Sequence, residues 1–257
     1  NLHFGPEGLL QCAKLKTDIV IAGIVGLAGL NPLIESIKNS KKVCIANKEC
    51  FVSAGALIMN EAKKYNTKIL PLDSEHNAIF QILEQSNNSL KEIYLTASGG
   101  PFYGYSEEEL AKVKVEDAVK NPNWDMGKKI SVDSATLMNK GLEIIEAKHL
   151  FKLQENEIKV VIHRQSIAHG IVSFKDNTFM ASFGHPDMTH PIKYALFYPN
   201  NYNNFEKKMN IDRLNNLTFE SIEEDKYHAL RLVRAILKSK SKEKCIILNS
   251  ANEIAVE

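Results

Sequence analysis

Three acidic residues in this sequence are placed where they could bind a metal ion. Asp73 and Glu75 lie in the run LPLDSEHNAIF, where a predicted strand ends, and Glu143 lies in a second run, KISVDSATLMNKGLEIIEA. Carboxylates gathered at the rim of a sheet repel one another, so they either take up protons or bind a cation. An oxygen-only set of ligands suits Mg²⁺ or Mn²⁺ better than zinc. These residues therefore predict a metal-dependent enzyme.

The first two carboxylates also have a purely structural explanation. Asp73 and Ser74 are residue types that cap a helix, and an acidic residue such as Glu75 suits the first turn because of the helix dipole. A junction between a strand and a helix is also where open α/β sheets bind ligands. The two explanations are compatible, and both stay open at this point.

A polar stripe surrounds Glu143 on a predicted helix that runs from about residue 135 to 151. The spacing i, i+3, i+4, i+7 puts four residues on one face, namely Thr136, Asn139, Lys140 and Glu143. Ser134 is expected near the start of this helix, where the dipole favours an anion. The opposite face is predicted to pack on the core through Leu137, Leu142 and Ile145. A solvated surface is the plain explanation, but a sugar phosphate needs this mixture of groups.

Two further runs follow predicted strands. In TASGGPF, the glycines allow backbone N–H groups to converge on an oxyanion with Ser98 assisting, although an ordinary turn explains them equally well. In ANKE, Lys48 lies on the same rim as Asp73 and could serve substrate or structure. The glycines of GIVGLAG do not have the G-x-G-x-x-G spacing of a dinucleotide fingerprint, so this run is weak evidence for a cofactor.

Two histidines, His163 and His169, flank the run HRQSIAH. On one predicted strand, a separation of six residues would direct both side chains to the same face. A structural role is the default for each histidine, and His169 is the better candidate for a functional role.

Strands alternate with helices in the sequence that positions these residues. Residues 18–25, 43–47 and 68–72 are predicted strands, and the helices between them imply a parallel, doubly wound, Rossmann-like sheet. A second α/β block follows, in which residues 159–175 and 179–184 are predicted to form two antiparallel strands. The last 35 residues or so are predicted to form two helices of a bundle that is only partly present.

Composition limits the choice of partner and compartment. The chain has 257 residues and a net charge of +1, and the charge gives no reason to expect nucleic acid or an anionic membrane as a partner. Its apolar runs are too short for a membrane span. The four cysteines form no CxxC pair, which is typical of free thiols in a reducing compartment.

Several long motifs together resemble the 1-deoxy-D-xylulose 5-phosphate reductoisomerase family. They are GLAGL, ANKE, LPLDSEH, TASGGPF, NPNWDMGKKISVDSATLMNKGLEIIEA, IHRQSIAHG, GHPDMTHPIKYALFYPN and LNSANEIAVE. The resemblance implies an enzyme that isomerises 1-deoxy-D-xylulose 5-phosphate and reduces it with NADPH to 2-C-methyl-D-erythritol 4-phosphate in isoprenoid biosynthesis. It also implies a divalent metal, a homodimer, and a bacterial cytoplasm, or a plastid-type organelle if a leader precedes the chain.

The resemblance further implies a role for each matching residue. Asp73, Glu75 and Glu143 would bind the metal, and Lys48, Glu75, Glu143 and His169 would be catalytic. Asn47, Glu49 and Gly127 would contact NADPH. Trp124 would lie on a mobile flap beside Asn121. The substrate would be bound by Lys48, Ser74, Glu75, Ser98, Asn121, Trp124, Ser134, Asn139, Lys140 and Glu143.

The family pattern also suggests a division of the chain. Residues 1–70 would be the C-terminal part of an NADPH-binding domain, 71–199 the catalytic domain, 200–222 a linker and 223–257 the start of a helical domain. The glycine-rich NADPH motif of the family would lie before residue 1, so we expect these residues to bind substrate and metal better than NADPH.

Two positions depart from the family motifs. Asn121 stands where the family has histidine, and Arg164 stands where the family has proline, which adds a charge near the expected site. The alternative hypothesis is a non-catalytic relative that binds a sugar phosphate and a metal without the cofactor.

Overall fold

The computed structural model describes residues 2–119, 127–200, 209–239 and 241–256, except the side chain of Lys242. The predictions for Asn121 and Trp124 therefore lie outside the described residues. Within the described residues, eight strands form two sheets. The strands are β1 (Thr17–Ala22), β2 (Ser40–Ile45), β3 (Lys68–Pro71), β4 (Leu90–Ala97), β5 (Ile158–Ile162), β6 (Ala168–Phe174), β7 (Phe179–Phe183) and β8 (Glu220–Ser221).

Eleven helices of the described residues surround these sheets. They are α1 (Gly5–Ala13), α2 (Leu30–Asn39), α3 (Lys48–Tyr65), α4 (Ser74–Gln85), α5 (Glu107–Leu110), α6 (Val115–Ala118), α7 (Lys128–Ala135), α8 (Met138–Phe151), α9 (Thr189–Phe197), α10 (His228–Lys238) and α11 (Lys242–Val256). The predicted α/β class is confirmed. Among these helices, none is both long enough and apolar enough to cross a membrane.

The first sheet is parallel, with the order β1-β2-β3. Val43 of the central strand pairs with Val20 on one side and with Ile69 on the other. Val43 and Ile45 pack against α2 and α3, whereas Cys44 lies in a separate cluster with Ala195 of α9. Helices thus cover both faces, which explains why β2 is a continuous apolar run.

The second sheet is mixed, with the order β7-β6-β4-β5-β8. Strand β4 pairs in parallel with β5 and antiparallel with β6. The prediction of one strand over residues 159–175 is wrong, because a turn closed by the Ser166 N–H on the His163 carbonyl divides it. Ser166 has a positive φ of 52°, so the chain reverses there. The predicted antiparallel pairing of this region with residues 179–184 is confirmed for β6 and β7.

Helix α3 begins at Lys48, three residues after the end of β2. Asn47 caps it, because its side-chain oxygen accepts a hydrogen bond from the Cys50 N–H at 2.9 Å. This cap places Lys48 in the first turn of the helix, next to the end of β2. The helix is bent at Ala54, where φ and ψ are −140° and 22°.

The helix predicted from residue 135 is divided into α7 and α8. Leu137 has a φ of 59°, and it separates the last residue of α7 from the first residue of α8. Thr136 is therefore not on the face of α8 that carries Asn139, Lys140 and Glu143. The predicted inner face is confirmed, since Leu137, Leu142 and Ile145 are all buried in the core beside β4.

The two predicted helices at the end of the sequence correspond to α10 and α11. Leu230 and Val233 of α10 are fully buried and belong to the same core as α8. Arg234 fixes the other side of α10, because it donates hydrogen bonds to Glu224 and to the Ile158 carbonyl, each at 2.7 Å. Within the predicted linker, β8 pairs with β5. The domain boundaries remain predictions.

Candidate functional site

The three predicted metal ligands meet at the junction of the two sheets. Asp73 lies two residues after β3 and caps α4, accepting a hydrogen bond from the Glu75 N–H at 3.1 Å. Glu143 reaches the same point from α8 and has no exposed surface. One carboxylate oxygen from each of Asp73, Glu75 and Glu143 lies within 4.8 Å of the other two. The capping role and the clustering of the carboxylates thus occur together.

Two lysines hold these carboxylates in place. Lys140 Nζ lies 2.5 Å from Glu143 Oε2 and 2.7 Å from Glu75 Oε1. Lys48 Nζ lies 3.0 Å from Asp73 Oδ2 and 3.4 Å from Glu143 Oε1. When all three carboxylates are ionised, the two ammonium groups leave one negative charge on the cluster, so the cluster attracts a further cation.

Burial and the charges of the cluster shift the pKa values of its members. Burial raises the pKa of Glu143 to about 7, and the charges of Asp73 and Glu75 add to this effect. Burial opposes the charged form of Lys140, but the carboxylates of Glu143 and Glu75 outweigh it and raise its pKa. The pKa of Asp73 is lowered despite burial, because Lys48, His76 and Lys140 are close.

The donor set fits a hard divalent cation. Every potential ligand is a carboxylate oxygen: Asp73 caps α4, Glu75 lies in the first turn of α4, and Glu143 lies in α8. Mg²⁺ and Mn²⁺ prefer such oxygen ligands, whereas zinc sites are usually built with nitrogen or sulfur. The same oxygens are bonded to lysine ammonium groups, so the positions already favour positive charge.

A cavity of about 360 Å³ opens beside the cluster. Its lining combines polar groups with apolar side chains, among them Leu72, Ala97, Ile130 and Leu137. Of the residues that the sequence predicts to be functional, eleven border this cavity, namely Lys48, Asp73, Ser74, Glu75, Ser98, Gly127, Ser134, Asn139, Lys140, Glu143 and His169. Residues far apart in the sequence therefore share one site.

The glycine loop after β4 forms another part of the wall. Gly99 and Gly100 have φ values of 82° and 69°, which favour glycine. A Cβ on Gly100 would lie 2.8 Å from the Ser134 carbonyl oxygen, so only glycine fits against the end of α7. The loop that follows Ser98 therefore packs directly against Ser134. Ser134 lies in the last turn of α7, so the expected help from a helix N-terminus is wrong.

Asn139 connects the lysines and the carboxylates. Its side-chain oxygen accepts a hydrogen bond from Lys48 Nζ at 2.6 Å, and its amide donates to Glu143 Oε1 at 2.6 Å. Both halves of the amide are therefore oriented by charged partners. The turn of α8 that follows the positive φ of Leu137 holds this arrangement.

Protein-family models and known proteins match this chain over most of its length. Three models of 1-deoxy-D-xylulose 5-phosphate reductoisomerase match the chain: the reductoisomerase itself over residues 1–55, and two C-terminal domains over residues 69–151 and 183–257. A reductoisomerase of Clostridium perfringens is 48% identical over 256 residues. One of Agathobacter rectalis is 46% identical over 258 residues, which are 100% of this chain and 68% of that protein.

The chain belongs to the 1-deoxy-D-xylulose 5-phosphate reductoisomerase family.

A solved reductoisomerase has the same fold. It is a crystal structure described as a complex with NADPH, fosmidomycin and magnesium, it is 44% identical, and it superposes with a TM-score of 0.91 over 98% of this chain. The chain spans 66% of the length of the Clostridium perfringens relative and 64% of that solved reductoisomerase. The family resemblance and the Rossmann-like fold are thereby confirmed.

Two residues that the resemblance assigns to NADPH make contacts within the protein. The Asn47 side chain donates hydrogen bonds to the carbonyls of Ile24 and Gly26, and so attaches the loop after β1 to the start of α3. Glu49 is buried and lies 3.2 Å from Lys129 Nζ. Neither residue borders the cavity beside the carboxylates as described, whereas Gly127 does.

The two histidines do not share a strand, so the prediction that one strand directs both side chains to the same face is wrong. His163 follows β5, and its Nδ1 donates to the Thr218 carbonyl at 2.8 Å while its ring stacks on Phe219. His169 lies in β6, and its Nε2 donates to the His185 carbonyl at 3.1 Å. Both histidines nevertheless line the cavity, because β4 lies between the two strands.

His76, in the same LPLDSEH motif as Asp73 and Glu75, is a further residue of the site and was not predicted from the sequence. Its Nε2 donates to the Glu143 carbonyl at 3.1 Å, and its Nδ1 lies 3.3 Å from Glu146. Burial disfavours the charged ring, but the carboxylates of Glu146 and Asp73 raise its pKa to about 9. The histidine thus joins α4 to α8 behind the metal ligands. Its position three residues after Asp73 was the available signal.

Proposed function

We propose that the protein takes part in the NADPH-dependent isomerisation and reduction of 1-deoxy-D-xylulose 5-phosphate to 2-C-methyl-D-erythritol 4-phosphate, a step of isoprenoid biosynthesis. The observation that carries this proposal is the cluster of Asp73, Glu75 and Glu143 on a cavity that also contains Ser98 and Ser134. Membership of the reductoisomerase family supports the choice of substrate. A bacterial cytoplasmic location is part of the proposal, and the bacterial relatives support it.

The reacting end of the substrate would lie at the carboxylates. Asp73, Glu75 and Glu143 would bind Mg²⁺ or Mn²⁺, which when bound polarises carbonyl and hydroxyl oxygens as a Lewis acid. Lys48 would contact the substrate beside this point, because its ammonium is fixed between Asp73 and Asn139. The Ser74 hydroxyl, which donates to Glu75 at 2.5 Å, and His169 would complete this end.

The phosphate would lie in the same cavity, with Ser98 and Ser134 on one side and with Asn139 and Lys140, which contact the carboxylates, on the other. Ser98, Ser134, Asn139 and Lys140 offer hydroxyl, amide and ammonium donors, which are the groups that a phosphate dianion accepts from. Binding energy from this remote group would orient the reacting carbons. Of the flap residues assigned to the substrate, Asn121 and Trp124 remain predictions.

NADPH would approach from the side of Gly127, which borders the cavity at the start of α7. The cofactor supplies the hydride, which no side chain can supply. Asn47 and Glu49 would act on this side, since both lie in the cap and first turn of α3 beside Lys48. The solved relative that is described as a complex with NADPH supports the choice of cofactor.

We also propose a homodimer, as the family resemblance implies. The edge strand β7 exposes Phe179 and Phe183, with 59% and 44% of their surface accessible. An edge strand with exposed aromatic side chains is suited to pairing with a second chain. Sedimentation velocity should find a dimer, and Phe179→Asp should shift it towards the monomer. A monomer at all concentrations would contradict this proposal.

Calorimetry of substrate binding tests the proposed function. We expect 1-deoxy-D-xylulose 5-phosphate to bind in the presence of Mn²⁺ and to bind at least tenfold more weakly without it, a difference of about 1.4 kcal/mol. Unphosphorylated 1-deoxy-D-xylulose is the matched ligand, and it should bind far more weakly. Equal binding with and without Mn²⁺, or no binding to a folded sample, would contradict the proposal. Formation of 2-C-methyl-D-erythritol 4-phosphate on addition of NADPH tests the reaction itself.

A further inference from the structure

Arg164, which replaces a proline of the family motif, contacts the glycine loop after β4. Its Nη1 donates hydrogen bonds to the Ser98 carbonyl at 2.7 Å and to the Gly100 carbonyl at 2.9 Å. The guanidinium also lies over the Tyr103 ring, 5.2 Å from its centroid. Tyr103 is held in turn, because its hydroxyl donates to Glu220 at 2.7 Å.

These two hydrogen bonds fix the direction of the loop's peptide groups. Nη1 carries two N–H bonds in a rigid plane, so it holds both carbonyls in a fixed relation. In a trans peptide the carbonyl and the next N–H point in opposite directions. With the Ser98 carbonyl directed at Arg164, the Gly99 N–H is therefore directed away from Arg164.

The Ser98 side chain is oriented by the same loop. Its Oγ accepts a hydrogen bond from the Gly100 N–H at 3.3 Å, which leaves the hydroxyl proton to be donated. Ser98 and Gly99 border the cavity, whereas the described lining of that cavity does not include Arg164. The charge of Arg164 therefore acts on the carbonyls of the loop, next to the lining of the cavity and not within it.

We propose that Arg164 is a positioning residue for the phosphate end of the cavity. It holds two carbonyl oxygens away from the anion, and so presents the Ser98 hydroxyl and the Gly99 N–H to it. Carbonyl oxygens turned towards a phosphate would repel it, so fixing them in advance lowers the cost of binding. This inference rests on the proposed function, because it assumes that a phosphate binds beside Ser98.

Three variants separate this role from others. Arg164→Met keeps a long apolar side chain and removes all donors. Arg164→Lys keeps the charge but cannot hold two carbonyls with one planar group. Lys175→Met removes one charge from an exposed position on the turn after β6, and is the matched control. For each variant, calorimetry measures the affinity for 1-deoxy-D-xylulose 5-phosphate and for inorganic phosphate, and electron paramagnetic resonance measures the affinity for Mn²⁺.

We expect Arg164→Met to bind both phosphate ligands about tenfold more weakly and to bind Mn²⁺ as the unsubstituted protein does. Arg164→Lys should lose nearly as much, because geometry rather than charge is the cause, and Lys175→Met should lose nothing. Equal affinity of Arg164→Met for the phosphate ligands, or full recovery in Arg164→Lys, would overturn the inference. So would a parallel loss of Mn²⁺ affinity, which indicates a general loss of structure. If the unsubstituted protein binds neither phosphate ligand, the proposed function fails as well.

Discussion

Lys140 Nζ lies 2.5 Å from Glu143 Oε2 and 2.7 Å from Glu75 Oε1, so one ammonium joins two of the three carboxylates that are expected to bind the metal. A lysine at this position has two consequences. It stabilises carboxylates that would otherwise repel one another, and it competes with any cation for their oxygens.

Removal of this lysine should strengthen metal binding. We expect Lys140→Met to raise the affinity for Mn²⁺ roughly tenfold, or about 1.4 kcal/mol, because the competing ammonium is absent and the site is more negative. Electron paramagnetic resonance of free Mn²⁺ measures this, at a pH above the Glu143 pKa of about 7. The exposed Lys91 is the control, and Lys91→Met should have no effect. An unchanged or lower Mn²⁺ affinity in Lys140→Met would show that the lysine does not compete.

The close approach of α3 and α8 predicts a stability defect. A Cβ on Gly55 would lie 2.3 Å from Cδ2 of His149, and the bend at Ala54 is adjacent. Gly55→Ala should lower the free energy of unfolding by about 1–3 kcal/mol, because helix packing has to shift. Urea denaturation measures the change. Gly23→Ala is the matched control, since its Cβ would have no atom within 4 Å, and it should change stability little. Equal stabilities of the two variants would contradict the account.

Stability should depend on pH through His149. Burial, with a smaller contribution from the charge of Lys148, lowers the pKa of His149 to about 4. The unfolded chain takes up a proton near pH 6.5 while the folded protein does not, so stability is complete above about pH 6.5 and falls as the pH drops towards 4. The loss is at most about 3 kcal/mol.

His149→Gln should remove this part of the pH dependence. The free energy of unfolding, measured by urea denaturation between about pH 6.5 and 4.5, should fall less in the variant than in the unsubstituted protein. The difference between the two proteins should be constant above pH 7. Parallel curves over the whole range would show that His149 is not the cause.

The buried pair of His76 and Glu146 should be coupled. His76→Leu leaves the Glu146 carboxylate buried without its partner at 3.3 Å, and should cost about 3 kcal/mol or more of unfolding free energy. The double variant His76→Leu, Glu146→Leu should recover part of this loss. A double-mutant cycle by urea denaturation measures the coupling. Strictly additive losses would mean that the two side chains do not interact.

Much of the fold can be predicted from the sequence, because the local pattern of apolar residues agrees with their burial in the folded protein. The buried parallel strand β2 is a continuous apolar run, and the apolar face of α8 repeats with helical spacing. Boundaries were less predictable. The break at Leu137 depends on a positive φ that leucine rarely adopts, and only packing of its side chain in the core explains it.

The candidate site was predictable for a different reason. Asp73, Glu75 and Glu143 lie in motifs long enough to be recognised, and the fold brings Glu143 of α8 to the start of α4, where Asp73 and Glu75 lie. His76 contacts α8, and Arg164 contacts the loop after β4. Neither contact can be predicted from the residues that surround His76 or Arg164 in the sequence. The turn that separates β5 from β6 was not predicted from the sequence, because both strands are apolar.

A titration of Mn²⁺ into Glu143→Gln tests whether Asp73, Glu75 and Glu143 bind the metal. We expect one tightly bound Mn²⁺ per unsubstituted chain by electron paramagnetic resonance, and at least about 100-fold weaker binding in Glu143→Gln, or about 2.7 kcal/mol. Glu92→Gln is the control. It removes a carboxylate outside the cluster, one that accepts a hydrogen bond from Tyr94, and it should bind Mn²⁺ as the unsubstituted protein does. If Glu143→Gln binds Mn²⁺ as tightly as Glu92→Gln while both are folded, the three carboxylates are not the metal site.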